Sequence, residues 1–380
     1  MKYILILLVF FSSHLDSFAQ VSRSFLQSDS QTNWYEINTK NFKVVYPKSL
    51  KTKAQYTLNM LEFYKPIVSK IYKSNPKKIT VIIRDDMATA NGFVTLAPLR
   101  SEWFHNATFS PFIGSLEWYQ ALAVHEYRHV VQYDHLSKGR IKYGHYLFGE
   151  QILALLLNIV APRWYFEGDA VYAETVYSDA GRGRSPRFSA RLKSLIMSEQ
   201  EFNYDDLLAG SFTDRLVNLY VYGYFLVTRG VQEYGDDFWM KVSQYASDHP
   251  WNIWAFYAGF KYHSGKDFDQ FYKETIKELK TDWPAPSQDF VQTKHEKYYD
   301  EFFGFKEDDH LVYLKKELNG LMELFQGTKK ISEIRTYPRY SNVDLKDHLF
   351  LYAQDHPHPR YNYKEYQDIY LYHLKSRKNH

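Results

Sequence analysis

The sequence predicts an α+β protein, with a small N-terminal sheet, a long helical region after it and antiparallel strands at the C-terminal end. Short runs of alternating or β-branched residues at 42–46 and 78–84 are typical of strands. From residue 116 to residue 283, apolar side chains recur at the spacing of helices. Beyond the proline-containing segment 283–287 the strand-like runs return, which indicates a separate C-terminal region.

The first nineteen residues have the three parts of an export signal. Lys2 supplies the positive charge, residues 4–11 form a short apolar core, and Ser17-Phe18-Ala19 matches a small-x-small cleavage site. The apolar core is too short to remain as a transmembrane anchor. We therefore expect an exported chain without a membrane anchor, located in the periplasm, at the outer membrane or outside a bacterial cell. The absence of cysteine excludes disulfides and thiolate metal ligands.

The elements before residue 105 are expected to form the small sheet. The strand at 42–46 is followed by a helix at 54–72, in which apolar residues recur every three or four positions, and then by the strand at 78–84. A turn at Asn91-Gly92 leads into the extended segment 92–104. This strand-helix-strand order places the sheet directly before the helical region.

The helical region begins with an apolar helix that carries the sequence His125-Glu126-Tyr127-Arg128-His129. Histidines four positions apart project from one face of a helix, so both imidazoles can reach one metal ion. Glu126 would lie beside the metal rather than on it, where a general base takes a proton from an activated water. The alternative is that both histidines are hydrogen-bonded core residues. Apolar neighbours on either side and a candidate third ligand favour the metal interpretation.

That third ligand comes from residues 162–174, Pro-Arg-Trp-Tyr-Phe-Glu-Gly-Asp-Ala-Val-Tyr-Ala-Glu. With the His-Glu-x-x-His motif, this segment resembles the gluzincin metallopeptidases of the thermolysin and aminopeptidase clan, whose second helix carries a similar Trp-x-x-Glu-Gly-x-Ala pattern. The resemblance implies a thermolysin-like domain that binds one Zn²⁺ through His125, His129 and Glu167. It also implies that Glu126 is the catalytic base. Three protein ligands leave the fourth position that hydrolytic zinc requires.

The distance between the two motifs departs from the better-known gluzincins, because Glu167 lies 38 positions after His129. The insert contains the apolar run 148–160, which we interpret as an extra helix packed between the two ligand helices. The same run would alternatively form a hydrophobic wall of the cleft. Gly168 and Ala170 are expected on the face where the two ligand helices cross.

Further site residues follow from the same resemblance. Gluzincins of the aminopeptidase branch carry a Tyr-x-x-Gly pattern whose tyrosine hydrogen-bonds the oxyanion. Carried over to Tyr220-Val221-Tyr222-Gly223, this role falls on Tyr220, with Tyr222 as the alternative. Asp169 and Glu174 are candidates to orient a ligand imidazole, or else they lie on a solvated helix face.

Candidate substrate-binding residues lie on either side of the motifs. Similar Asn-Gly segments precede the active-site helix in proteins with a peptidase-MA-like domain, which implicates Asn91 and Gly92 in an edge strand that binds peptide. Arg182 and Arg184 lie in a Gly-Arg-Gly-Arg-Ser-Pro loop, which would bind a substrate carboxylate or phosphate or would simply be a solvated turn. The Gly-x-Met-Glu-Asn motif of aminopeptidases is missing, which favours an endopeptidase.

The C-terminal region carries strand-like runs at 310–314, 321–325, 348–352 and 368–374. Residues 366–374 resemble the closing strand of a TolB-like β-propeller blade. Only one or two blades fit into this length, so we expect exposed strand edges that pair with another chain, or a chain shortened from a longer propeller protein. The predicted divisions are a signal peptide at 1–19, a gluzincin-like metallopeptidase domain at 20–286 and a partial propeller-like β segment at 289–380.

The sequence therefore predicts an exported zinc metallopeptidase that acts on peptides or proteins. A net charge of +3, spread along the chain, gives no electrostatic case for nucleic acid. Two alternatives stay open: a non-catalytic docking module of the cell envelope that retains the peptidase fold, and a zinc hydrolase of a non-peptide amide or ester.

Overall fold

The computed structural model is a mixed α+β protein, as the sequence predicts, and contains small open sheets. It describes residues 29, 31–107, 114–197, 202–210, 216–283, 299–307, 309–317, 321–334, 343–361, 363–376 and 378–379. The predicted signal peptide 1–19 and the proline-containing linker, except for Trp283, lie outside the described residues. Among the described helices, none has by itself both the length and the hydropathy of a membrane-spanning segment. One bent pair, Ile141–Val160 with Arg163–Val176, meets the length and composition requirement but is bent by 87°.

The N-terminal sheet has five strands in the order β1-β2-β3-β5-β4. These strands are β1 Trp34–Asn38, β2 Phe42–Pro47, β3 Ile79–Arg84, β4 Gly92–Leu96 and β5 Leu99–Phe104. β2 pairs parallel with β3, and β3 pairs parallel with β5, while β1 and β4 are antiparallel strands at the two edges. Helix α1, Lys51–Ser69, makes the crossover between β2 and β3. The predicted extended segment 92–104 is thus a hairpin that places β4 at one edge.

Nine more helices occupy the described part of residues 114–283. They are α2 Trp118–Leu136, α3 Ile141–Val160, α4 Arg163–Val176, α5 Pro186–Met197, α6 Tyr204–Ala209, α7 Leu219–Tyr234, α8 Phe238–Asp248, α9 Ala255–Ser264 and α10 Phe268–Asp282. Helix α2 packs between two cores: Val130 belongs to the core under the sheet, and Leu136 belongs to the core of the helical region. The middle of α2 is therefore buried on all sides, which explains its apolar sequence.

Helices α4 and α7 cross at two glycines. A Cβ atom on Gly168 would lie 2.2 Å from the carbonyl carbon of Gly223, and a Cβ on Gly223 would lie 2.3 Å from the carbonyl oxygen of Trp164. Only hydrogen fits at these positions, so the two backbones touch. Gly168 was expected at the crossing of the two ligand helices, but its partner is α7. The contact brings the N-terminal turn of α7 next to Glu167.

Residues 148–160 are helical apart from Gly149, as expected, but the expectation that they pack between the two ligand helices is wrong. Helices α2 and α4 contact each other directly, because Arg128 on α2 forms a buried ion pair with Asp169 on α4. Helix α3 instead bends at Gly149, where φ is 77° and ψ is −170°, so that its arms 141–148 and 150–160 fold against each other. A Cβ atom on Gly144 would lie 2.9 Å from a methyl group of Leu156. In a straight helix these residues would be about 18 Å apart.

The C-terminal region forms two antiparallel four-stranded sheets, with strand orders β6-β7-β8-β9 and β10-β11-β12-β13. Their strands are β6 Tyr299–Glu307, β7 His310–Glu317, β8 Met322–Gln326, β9 Lys329–Ile334, β10 Val343–Lys346, β11 Leu349–Pro357, β12 Glu365–His373 and β13 Lys378–Asn379. The predicted run 310–314 lies within β7, and the runs 321–325, 348–352 and 368–374 match β8, β11 and β12 except for one residue at an end of each run. Val312 and Leu324 from one sheet share an apolar cluster with Phe350 and Tyr372 from the other.

Among the described residues, the contact between the C-terminal sheets and the N-terminal sheet is made around Tyr363. The ring of Tyr363 packs in a small apolar cluster with Met87 and Phe104, and the guanidinium of Arg84 lies 3.7 Å from its centre. Beside it, the backbone N–H of Glu365 donates to the carbonyl of Asp86 at 2.9 Å. The C-terminal region therefore has its own core and is attached to the sheet through a short segment.

Candidate metal centre

Three side chains from two helices converge on one point. His125 and His129 lie one turn apart on α2, and Glu167 lies on the second turn of α4. The Nε2 atoms of the two histidines are 3.2 Å apart. Oε2 of Glu167 lies 3.2 Å from Nε2 of His125 and 3.5 Å from Nε2 of His129. The structure thus brings together the three predicted ligands, which form a group able to hold a metal ion.

The geometry and chemistry of this group fit a metal ion. Three ligand atoms at about 2 Å from a tetrahedral ion lie about 3.3 Å from one another, close to the spacing found here. Two imidazole nitrogens and one carboxylate oxygen are a donor set that borderline-soft divalent metals prefer. The histidines are buried and Glu167 is partly exposed, so one side of the group remains open.

The outer nitrogen of each histidine is held by a second side chain. Nδ1 of His125 lies 2.5 Å from Oε1 of Glu174, and Nδ1 of His129 lies 2.9 Å from Oε1 of Gln132. A hydrogen bond donated from Nδ1 fixes the tautomer whose Nε2 lone pair points at the other ligands. Glu174 therefore orients one imidazole, as the sequence suggests. Gln132 was missed, although it lies one helical turn after His129.

Behind Gln132 is a buried ion pair. Gln132 Nε2 donates to Asp169 at 2.6 Å, and the guanidinium of Arg128 binds both carboxylate oxygens of Asp169 at 2.7 and 2.8 Å. Asp169 therefore acts on His129 only through Gln132. Such a bidentate pair holds its members in one geometry, so the amide of Gln132 is fixed from behind.

The two loop arginines, predicted either to bind a substrate anion or to lie in a solvated turn, both contact the protein itself. The partly buried Arg182 forms an ion pair with Glu174, with Nε of the guanidinium 2.9 Å from Oε2 of the carboxylate. Arg184 donates to the backbone carbonyl of Thr175 at 2.9 Å. The loop packs on the end of α4 because its glycines allow close approach: a Cβ on Gly181 would lie 2.4 Å from the carbonyl oxygen of Glu174. Both arginines therefore bind the protein itself.

Charge is balanced within the buried ligand group. Burial favours the neutral ring of His125, but the carboxylates of Glu167 and Glu174 outweigh it and raise the pKa of His125 to about 9. Burial likewise opposes the charge on Glu174, yet Arg182 and His125 hold the pKa of its carboxyl at about 2. The pKa of Glu167 is also lowered by the two imidazoles despite burial. The carboxylates thus draw positive charge to the position between the ligands.

Glu126 faces the same space without joining the ligands. Its side chain is 4% exposed, and its Oε2 atom makes no hydrogen bond to any described residue. Burial raises the pKa of Glu126, while the two neighbouring histidines oppose this effect. A buried carboxylate with a free oxygen next to a metal site is suited to accept a proton.

Strand β4 passes directly over Glu126. A Cβ atom on Gly92 would lie 3.2 Å from Oε1 of Glu126 and 2.5 Å from a methyl group of Leu122. The side chain of Asn91 accepts from the N–H of Gly92 at 3.0 Å and so stabilises the start of the strand. The predicted edge strand therefore lies beside the candidate base, with Gly92 at the point of contact.

The two candidate tyrosines lie in different surroundings. The ring of Tyr220 stacks on His125 with 6.2 Å between ring centres, and the Arg182 guanidinium lies 5.3 Å from its centre. Burial and the charge of Glu167 raise the pKa of Tyr220, which keeps the phenol protonated and able to donate. Tyr222 lies in the core of the helical region, where its hydroxyl is 3.5 Å from the carbonyl of Leu207. Of the two, Tyr220 is beside the three candidate ligands.

Comparison with known protein families found no family model that matches the chain, and comparison with curated proteins found no significant match. The arguments for function therefore come from the residues and geometry of the site.

Proposed function

We propose that the protein is a zinc-dependent metallopeptidase of the gluzincin type, most suited to internal cleavage of peptides. The observation that carries this proposal is the convergence of His125, His129 and Glu167 beside a buried Glu126 whose Oε2 has no hydrogen bond to any described residue. A purely structural ion-pair cluster does not need a second carboxylate held without a partner, because burying such a group costs free energy. A catalytic base, by contrast, needs a carboxylate oxygen that is free to accept a proton.

The side chains divide the chemistry between them. A zinc ion bound by the three ligands would act as a Lewis acid and make a water molecule more acidic. Glu126 takes a proton from the attacking water and delivers it to the leaving amine. Tyr220 donates its phenol hydrogen to the oxyanion of the scissile carbonyl, because it stands on the ligand side of α7 with a raised pKa.

A peptide substrate is supported by the position of β4. The strand is at the edge of the sheet, its only sheet neighbour among the described strands is β5, and Gly92 touches Glu126. An extended peptide that pairs with this edge would run past the base and the ligand group. Export of the chain is proposed from residues 1–19 alone, and a propeller-like origin of the C-terminal sheets rests on their strand pattern.

The proposal is tested with purified protein and its Glu126→Gln variant, each measured for metal content and for hydrolysis of an unbiased peptide library. Both proteins should hold about one zinc per chain, because the ligands are unchanged, whereas hydrolysis should fall by about a thousandfold or more in the variant. Glu117→Gln, at the start of α2, is a matched control that should remain active.

Three outcomes would contradict the proposal. Equal activity of wild type and Glu126→Gln would remove the base from the mechanism. Failure to retain a metal would remove the ligands. Metal without hydrolysis of any peptide would favour the docking module or a hydrolase of non-peptide bonds, which ester and amide substrates would then separate.

A further inference from the structure

Helix α3 presents an apolar tip to the solvent. Where the hairpin turns at Gly149, three consecutive side chains are largely exposed: Tyr146 by 76%, Leu147 by 75% and Phe148 by 71%. Among the described residues, no atom lies within 4 Å of the position that a Cβ on Gly149 would occupy. The tip therefore projects from the molecule instead of lining a groove. Exposed apolar groups in sequence, on a projecting turn, are characteristic of a binding surface.

The hairpin is firmly attached at its base. Ile141 at the start of the first arm, and Leu153, Leu157 and Val160 in the second, are buried in the core of the helical region. The second arm is uncharged over residues 151–160, and its exposed residues there are Gln151, Asn158 and Ile159. Because the base is packed in the core, the apolar tip can insert into a lipid phase while the rest of the hairpin stays folded. Helical arms satisfy their own backbone hydrogen bonds, as insertion into lipid requires.

Basic residues lie around the start of the hairpin. Arg140 and Lys142 lie at the start of the first arm, and within the described residues neither forms an ion pair with an acidic side chain. Lys138, just before them, pairs with Asp134. Along a helix, Lys142 is about 9 Å from Phe148, which is close to the depth between lipid phosphates and the upper acyl chains. Glu150 is the one acidic residue in the hairpin, and it opposes deep insertion.

A neighbouring loop extends the apolar surface at the hairpin base. Ile159 and Ile253 line one cavity of about 320 Å³. In the same loop as Ile253, Trp251 is 89% exposed and Trp254 is 65% exposed. Tryptophan and tyrosine favour the boundary between water and lipid, because one part of each ring system is apolar and another part hydrogen-bonds water.

We propose that the α3 hairpin binds the surface of an anionic lipid bilayer, with Leu147 and Phe148 below the headgroups and Arg140 and Lys142 at the phosphates. A bilayer fits better than a protein partner, because the apolar groups lie on a projecting tip that a fluid phase accepts without a matching pocket. The ligand helix α4 begins at Arg163, so binding would hold the metal centre close to the lipid surface.

The test measures co-sedimentation of the signal-free chain with vesicles of phosphatidylcholine alone or mixed with phosphatidylglycerol. Binding should require the anionic lipid, and the double variant Leu147→Ser/Phe148→Ser should bind at least about tenfold more weakly. Removing the charge of Arg140 or Lys142 with glutamine should weaken binding by roughly fivefold for each residue. Glu150→Gln should strengthen it. Phe63→Ser is the matched control, because Phe63 on α1 is exposed by 59% and lies outside the hairpin.

A second measurement reports insertion directly. The chain has no cysteine, so Phe148→Cys and Phe63→Cys each give one site for an environment-sensitive fluorophore. Only the label at position 148 should shift its emission to the blue on addition of anionic vesicles. Absence of binding, or equal binding by the double variant, would overturn the proposal. A concentration-dependent dimer that Phe148→Ser abolishes would assign the surface to a second copy instead. The Glu126→Gln variant should bind as wild type does, which separates this test from the peptidase proposal.

Discussion

At the scale of single residues, the two ligand histidines are held by unlike groups. His125 hydrogen-bonds through Nδ1 to the carboxylate of Glu174, and the charge of this carboxylate is neutralised by Arg182. Nδ1 of His129 hydrogen-bonds to a neutral amide, Gln132, and this amide in turn donates to the Asp169 carboxylate. A carboxylate partner makes an imidazole a stronger donor to a metal than an amide does. The two ligand bonds are therefore expected to differ in strength, with His125 the stronger.

Replacing Tyr220 should separate catalysis from binding. Tyr220→Phe removes the phenol donor beside His125 and should lower kcat about a hundredfold while KM changes little, because the lost hydrogen bond forms only in the transition state. Tyr222→Phe is the control in the same helix turn, since its hydroxyl lies in the core near Leu207. Steady-state kinetics with a peptide substrate give kcat and KM for the two variants. A larger loss of kcat in Tyr222→Phe than in Tyr220→Phe would contradict the assignment.

Asp86 should make stability depend on pH. Its Oδ1 atom is buried without a hydrogen bond from any described residue, and burial raises the pKa of Asp86 to about 6. The unfolded pKa is about 3.9, so the folded state binds this proton more tightly. Its contribution to the free energy of unfolding is full below about pH 4 and is lost as the pH rises through 6.

Asp86→Asn should therefore raise the melting temperature by a few degrees above pH 7 and have little effect near pH 4. Thermal unfolding of both proteins at the two pH values measures the difference. Asp85→Asn is the neighbouring control, since Asp85 is exposed and accepts a hydrogen bond from Ser49. A pH-independent difference between wild type and Asp86→Asn would rule out the titration.

At the scale of elements, the crossing of α4 and α7 determines where Tyr220 stands. Gly168 and Gly223 bring the two helix backbones into contact, and Tyr220 lies one turn before Gly223. The carboxylate ligand and the phenol donor are thus set at a fixed separation by two residues that have no side chain. Any added carbon at the crossing must push the helices apart or distort Trp164, whose carbonyl lies nearest.

Gly223→Ala should therefore damage both stability and catalysis. A Cβ at this position would lie 2.3 Å from a backbone oxygen, and overpacking of this kind costs about 1–3 kcal/mol or more. We expect a lower melting temperature together with a loss of kcat, because Tyr220 moves with α7. Metal content should change less, since His125, His129 and Glu167 lie outside α7. An unchanged melting temperature and kcat would show that α7 can move away from α4 to accommodate the added methyl group.

The local sequence pattern correctly predicted the features that are determined within a single helix or strand. The strands at 42–46 and 78–84, the helix over 54–72 and the pairing of His125 with His129 all follow from spacing along one element. The helix lies three residues earlier than predicted, at Lys51–Ser69, and Lys73 after it has a positive φ of 47°. Glu167 was identified only by resemblance to a known motif, since its distance from His129 depends on the whole insert.

Contacts between distant residues could not be read from the pattern. Arg182 looks like a free loop residue until the glycines of its loop place it on Glu174. The apolar run 148–160 has the composition of a buried helix, yet the left-handed backbone at Gly149 turns it into one arm of an exposed hairpin. Glycine permits such a turn without requiring it, so the sequence alone leaves both conformations available.

At the scale of the whole molecule, the C-terminal sheets have a core of their own and a small attachment to the N-terminal sheet. Tyr363 fills a cluster with Met87 and Phe104, and Glu365 accepts from the N–H and hydroxyl of Thr89. These contacts involve the N-terminal sheet, whereas the three candidate ligands are carried by α2 and α4. Metal binding should therefore not require the C-terminal sheets.

A chain that ends at Trp283 should remain soluble and hold the metal with the stoichiometry of the full chain. Its melting temperature should be lower, because Met87 and Phe104 lose the cover of Tyr363. Tyr363→Ala in the full chain should reproduce most of that loss while leaving the sheets in place. Metal analysis and thermal unfolding of the three proteins test this expectation. Precipitation of the shortened chain, or loss of its metal, would show that the C-terminal sheets belong to the same folding unit as the metal centre proposed here.

The positions of these contacts along the chain also set an order of assembly. Every proposed member of the metal centre, from Gly92 to Tyr220, precedes the C-terminal sheets in sequence, whereas the Tyr363 attachment joins residues separated by most of the chain. Domains made first during synthesis fold first, and contacts between distant residues form late. The ligands can therefore meet before the ribosome has made the residues that attach to the N-terminal sheet. Until then the apolar side chains of Phe104 and Met87 lack the cover of Tyr363. This apolar surface of the nascent chain is then exposed to association with other chains.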